Sequence, residues 1–133
     1  MSDKDVELAH TFNDAFNREG WQALWRMADS EIEFREPPEQ PGASVFNGLD
    51  SARSGVTRSW DQLWSEQHSV LERVVDLGGG RLLILNVMKL RGRNGIEVTQ
   101  PAGSIVAFRD DKIPRFEAYW DQQAALEAAG LAD

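Results

Sequence analysis

The stretch 81–91, RLLILNVMKLR, constrains this chain more than any other. An apolar run of that length, preceded by three glycines and followed by Gly92 and Gly95, reads as a strand, and successive side chains along a strand point to opposite faces. One face holds Leu82, Ile84, Asn86, Met88 and Leu90, and the other holds Leu83, Leu85 and Val87 before it turns basic. Both faces are therefore apolar and both need a cover.

Covers for one face precede the strand. Val6, Ala9, Phe12 and Phe16 recur at helical spacing and predict an amphipathic helix ending near Gly20. Trp21, Leu24, Trp25 and Ala28 predict a second, shorter helix. Residues 31–35 alternate as a short strand, stopped by Pro37, Pro38 and Pro41, because proline cannot donate to a sheet ladder. A loop over 37–48 is expected next, then a third helix capped by Asp50, with Ala52, Val56, Trp60, Leu63 and Trp64 on one face.

Beyond His68 the period changes to two. Strands are expected at 70–76, 81–91, 96–109 and 113–121, separated by Gly78-Gly79-Gly80, Arg93-Asn94-Gly95 and Asp110-Asp111-Lys112, and a short helix follows Asp121. Helices first and a long antiparallel meander afterwards is an α+β layout, with helices on one face of a curved sheet. The other apolar face of 81–91 is covered either by the chain's own C-terminal helix or by a second copy. A homodimer through the open sheet face is the expectation.

Composition bounds the function. A chain of 133 residues suits a single domain, 1–133, with a sizeable core. Fourteen basic against 22 acidic residues leave a net charge of −8, which repels nucleic acid and anionic lipid. No apolar run approaches the roughly 20 residues that span a bilayer, and the start MSDKDVELAH does not read as a signal peptide, so a cytoplasmic protein is expected. With no cysteine, and with His10 and His68 far apart, neither a metal nor another cofactor is expected. Five tryptophans and six phenylalanines against one tyrosine suit a core or the wall of a pocket for an apolar or aromatic small molecule.

The order of elements, Gly48-Leu49-Asp50 opening the third helix, the turn near Arg91-Gly92-Arg93 and the ending EAYWDQQAALEAAGL together resemble the SnoaL-like branch of the nuclear transport factor 2-like superfamily. The resemblance spans nearly the whole chain. It implies a cone-shaped α+β barrel, often dimeric, in which three N-terminal helices and a curved antiparallel sheet enclose a pocket. Ketosteroid isomerases, polyketide cyclases, epoxide hydrolases and domains that only bind or assemble share it, so the fold alone does not fix function.

The resemblance places Glu36, beside Pro37, where isomerase-like members carry the proton-moving Asp of an Asp-Pro pair. A carboxylate among prolines and aromatic rings loses hydration, which suits a general base; as the first residue of a loop it can equally be solvated. The rest of the isomerase set is missing: Phe12 falls where those enzymes have a tyrosine, and Ser104 near their protonated aspartic acid. An epoxide hydrolase-like Asp-Arg-Asp trio cannot be placed.

Asp121 is the second candidate acid, and also suits the N-cap of the final helix. If Trp120 faces the pocket with Phe116 and Ala118, alternation turns Asp121 away. His68 is either a proton shuttle or a surface residue, and a buried Asn86 needs a hydrogen-bond partner. The residues expected to touch substrate are Phe12, Phe16, Trp60, Trp64, Asn86, Met88, Ser104, Val106, Phe116 and Trp120. The function expected is small-molecule binding, with a cofactor-free isomerase or cyclase reaction by proton transfer at Glu36. The alternatives are a non-catalytic carrier or sensor and a dimeric interaction module.

Overall fold

The computed structural model describes residues 3–131. Helix α1 (Asp3–Glu19) ends where expected, at Gly20, whose φ of +68° lets its N–H return to the Phe16 carbonyl at 2.7 Å. Helix α2 (Gln22–Met27) is shorter than its apolar stripe by one residue at each end, because Trp21 is its N-cap and Ala28 already opens strand β1 (Ala28–Arg35). The expected loop contains a short strand, β2 (Val45–Asn47), which pairs antiparallel with β1 through Phe34 and Phe46. Three prolines end β1, but they do not prevent the chain from turning back onto it.

Helix α3 (Leu49–Leu63) begins at Gly48 rather than under an Asp50 cap; Asp50 lies in its first turn and pairs with Arg53 at 3.0 Å. Trp64, expected on the helix, is the first residue of strand β3 (Trp64–Gly78). Strand β4 (Arg81–Gly92), β5 (Glu97–Arg109) and β6 (Lys112–Tyr119) complete the meander, and α4 (Gln122–Ala128) closes it. Asp110 and Asp111 both adopt positive φ, 53° and 63°, the two-residue hairpin geometry whose twist matches the flanking strands.

The six strands form one sheet in the order β2-β1-β6-β5-β4-β3. Every pair is antiparallel except β1 with β6, where Phe34 lies opposite Phe116. That crossover brings the N-terminal Phe34 and the C-terminal strand to one spot. No described helix is long and apolar enough to cross a membrane.

The two faces of β4 are covered differently. Leu82 and Ile84 join Ala9, Leu24, Trp25, Val56, Phe34 and Phe116 in the main core under the helices. Leu83 and Leu85 pack with Ile105 and Ala125, flanked by Val75, Leu77, Tyr119, Leu126 and Ala129. The chain's own α4 thus buries Leu83 and Leu85, so the apolar surface that argued for a second copy is already covered. A helix of seven residues does not hold on its own in water. What holds α4 is this docking, at about 1.5–3 kcal/mol for each buried aliphatic side chain, together with its cap. The carboxylate of Asp121 accepts from the Gln123 N–H at 3.1 Å.

Candidate small-molecule cavity

The helical layer and the inner sheet face do not meet everywhere. Between α1, α3 and the sheet lies a cavity of about 680 Å³. Buried Ala9, Val56 and Ile84 line its depth, whereas exposed Glu39, Pro41 and Leu63 line its opening, between the 36–44 loop and the end of α3. A cavity survives here because bulky rings brace one another at its edges.

Phe34 and Phe116, opposite each other on β1 and β6, stack with centroids 5.2 Å apart and planes at 3°. Trp21 sets its ring against Phe16, Phe34, Phe116 and Trp60 at 5.2–6.0 Å, all near-perpendicular. Trp60 also lies parallel to Trp120 (6.2 Å, 8°) and beside Trp64 (6.2 Å). Perpendicular ring pairs match the positive edge of one ring to the negative face of the next.

One polar network interrupts these walls. Ser69, 4% exposed, donates its backbone N–H to Asn17 Oδ1 at 2.7 Å, and its carbonyl accepts from the side-chain amides of Asn13 (3.1 Å) and Asn17 (2.9 Å). Its hydroxyl accepts from Asn86 Nδ2 at 2.8 Å, and the same Nδ2 reaches Met88 Sδ at 3.3 Å. The Asn86 amide donor is therefore committed to protein, while its Oδ1 has no partner among the described residues. The Ser104 hydroxyl is also unpartnered among the described residues. The cavity lining thus includes the amide oxygens of Asn13 and Asn86 as acceptors and the hydroxyls of Ser59, Ser69 and Ser104.

The opening is acidic. Half-buried Glu36 accepts the Ser44 N–H on Oε1 at 3.0 Å, and its own N–H donates to the Ser44 carbonyl at 3.0 Å, which fixes the neck of the 36–44 loop. Two residues of that loop reach Trp120: Glu39 Oε1 accepts its backbone N–H at 3.3 Å, and Gln40 Oε1 its indole N–H at 3.4 Å. Gln100 ties the Trp120 carbonyl from β5 at 2.6 Å. Neither Glu36 nor Glu39 has an ion-pair partner among the described residues.

All the residues expected at the site line this cavity except Val106 and Asp121. Val106 is 1% exposed and lies in the main core with Phe116 and Leu82, filled over from the helical side. Asp121 is exposed and caps α4 through Gln123. His68 is exposed in the middle of β3, one residue away from inward-facing Ser69. Asn13, Asn17, Ser69, Glu39 and Gln40 were not anticipated. Asn13 and Asn17 each follow a stripe phenylalanine on α1, four residues apart, and that spacing is a readable signal of a shared helix face.

A second cleft, of about 630 Å³, shares Trp21 and Trp60 with the cavity but opens between α2 and α3. Arg53 and Arg58 line that cleft, and the cavity itself is lined by no Lys, Arg or His. Among the described residues no group of three or more His, Asp or Glu could hold a metal.

No family model and no curated protein matches this sequence. Solved structures do resemble the fold. A nuclear transport factor 2-like protein from Burkholderia pseudomallei superposes with a TM-score of 0.77 at 15% identity, over 96% of this chain and 97% of that one. TerC, crystallised with polyporic acid, gives 0.74 at 15% identity over 95% and 98%. A protein of ketosteroid isomerase-like fold from Catenulispora acidiphila, in complex with trimethylamine, gives 0.70 at 14% identity over 98% and 95%. At these identities the likeness shows the fold.

Proposed function

We propose, from a nuclear transport factor 2-like fold of the kind found in ketosteroid isomerase-like and SnoaL-like proteins, that this chain binds an apolar or aromatic small molecule in its cavity and moves a proton on it with Glu36. The observation that carries the reading is the cavity itself. About 680 Å³ lined mainly by aromatic and aliphatic side chains, with a few polar atoms, has the size and chemistry of a small-molecule site. Two neighbours of the same fold hold small molecules, polyporic acid and trimethylamine.

In this scheme a Glu36 carboxylate oxygen takes a carbon-bound proton beside a carbonyl, and the developing enolate oxygen accepts a hydrogen bond from Ser104 or Ser69. Asn86 fits that second role poorly, because its N–H donor is engaged by Ser69 and Met88. No cofactor enters this scheme. Replacing Glu36 with Gln keeps the Ser44 N–H bond and removes the base. On a guest recovered from the purified protein, E36Q is expected to lower turnover at least about 100-fold with binding retained; unchanged turnover contradicts the role.

A carrier or sensor without catalysis is the second reading, favoured by the sparse donor set, with phenylalanine at position 12 and the Asn86 amide occupied. Saturable binding without product supports it. A strip on the outer sheet face, Val70 (39% exposed) opposite Val87, is the surface that remains for pairing two copies. Sedimentation of wild type and Val70→Lys tests that pairing: a dimer that V70K splits supports it, and a monomeric wild type overturns it.

A further inference from the structure

The charges around the cavity are one-sided. Its lining holds two carboxylates, Glu36 and Glu39, and no basic side chain, while Arg53 and Arg58 line the separate cleft beyond Trp21 and Trp60. Both carboxylates are on the loop at the opening, and neither is neutralised by an ion pair among the described residues. Bringing an anion there means approaching uncompensated negative charge while shedding water, on a protein that already carries a net charge of −8.

The rings at the same opening point the same way. Glu39 meets Trp120 through its backbone N–H, Trp120 lies parallel to Trp60, and Trp60 lies beside Trp64. Three indoles and a carboxylate thus form one continuous stretch of wall. An indole face carries negative quadrupole density and attracts alkylammonium and guanidinium groups, more strongly as water is excluded. Deeper in, the unpartnered Asn86 Oδ1 accepts a hydrogen bond, so the inner end of the cavity suits a neutral donor. The two neighbours holding an acid and an amine cannot decide the charge of the guest. The lining of this chain can.

We infer that the cavity selects a positively charged guest: an aromatic or apolar amine, with its ammonium group against Trp60, Trp64 and Trp120 beneath Glu39 and its apolar body inward. The inference rests on the small-molecule reading above and adds the guest's charge to it.

Three phenols of similar size separate the two. They are para-hydroxyphenyl-trimethylammonium, its uncharged carbon analogue para-tert-butylphenol, and para-hydroxybenzoate, each titrated into the full-length protein by calorimetry at low salt. The cation is expected to bind about 10-fold tighter than the carbon analogue, and the benzoate weakest. Glu39→Gln should shrink the preference several-fold, as should raising the salt, because Glu39 is exposed and screened. Equal or tighter binding of the carbon analogue overturns the charge selectivity and leaves the cavity as a binding site. A cation preference unchanged by E39Q and by Trp120→Leu places that preference elsewhere on the molecule and overturns the assignment. Binding of none of the three contradicts both the inference and the reading beneath it.

Discussion

The inner and outer faces of the same sheet carry similar residues and reach opposite outcomes. On the outer face the covering elements are small and close. A methyl group added at Gly103 would lie 2.8 Å from the Ala125 Cβ and 3.2 Å from Leu85 Cδ2, so α4 sits there because Gly103 has no side chain. On the inner face the covering residues are Trp and Phe. Their rings meet one another at 5.2–6.2 Å across the helices and sheet before the smaller side chains beneath can close up, and the cavity is the space left. The same apolar pattern gives a packed layer where the partner is alanine and leucine, and a vessel where the partner is tryptophan. Side-chain volume, more than hydrophobicity, sets the difference.

The largest test of that contrast is a matched pair of truncations. Leu83→Ala removes a fully buried side chain from the packed face and is expected to cost about 3–5 kcal/mol, at the upper end for such changes. Met88→Ala removes one that already borders the void and is expected to cost about 2 kcal/mol. Urea unfolding of both variants checks the order. Equal costs would mean that the inner face is as tightly packed as the outer. Guest affinity should move with M88A and stay put with L83A.

A smaller effect sharpens the assignment of Asp121. Losing its cap should cost about 1 kcal/mol in Asp121→Ala, and turnover per folded molecule should be unchanged, because the carboxylate faces Gln123 and does not line the cavity. A fall in turnover beyond the loss of folded protein would restore it as an acid.

The smallest effect lies at the charged end of the outer face. Glu33 accepts from Arg35 at 2.6 Å and lies 3.4 Å from Arg115, the residue opposite it on β6. The hydrogen bond from Arg35 is the largest influence and holds the Glu33 carboxyl below its ordinary value of 4.5; burial opposes it, and the charges of Arg115 and Arg35 add to the lowering. A lowered folded value stabilises the protein above the unfolded value, and that contribution is lost as pH falls through the folded one. The stability difference between wild type and Glu33→Gln should therefore be present above about pH 4.5 and fade as pH falls below it, and it should be slight throughout, because the cluster is exposed enough to be screened. A difference that persists undiminished at lower pH would show that E33Q acts through packing.

Much of this was legible from residues alone. Apolar periodicity located α1, α3 and the long strands because burial of one face leaves a regular mark. Alternation along 115–120 separated Phe116, Ala118 and Trp120, which line the cavity, from Arg115 and Glu117, which pair with each other on the outer face, because a strand has only two faces. Strand β2 was hidden because Val45–Asn47 is three residues long and follows prolines, and its partner across the ladder comes from another part of the chain. The parallel β1–β6 pairing was hidden for the same reason.

Asp50 misled because a cap and a first-turn acid look alike in sequence, and Gly48 with φ +95° took the cap position. Val106 misled because alternation gives the face of the sheet and not the depth of what covers it. Ser69 is a residue without hydrophobic or catalytic character, and it enters the site only through hydrogen bonds to α1 and β4, which no spacing records.

The account stands on the inner face being a working cavity. The measurement that tests this most directly is calorimetric titration of para-tert-butylphenol into wild type and Ala118→Trp. Ala118 lines the cavity opposite Ser104 on the neighbouring strand, so an indole there occupies the guest's space. The account predicts one saturable site in the wild type and its loss in a folded A118W. Identical isotherms for the two proteins would place binding outside the cavity and contradict it.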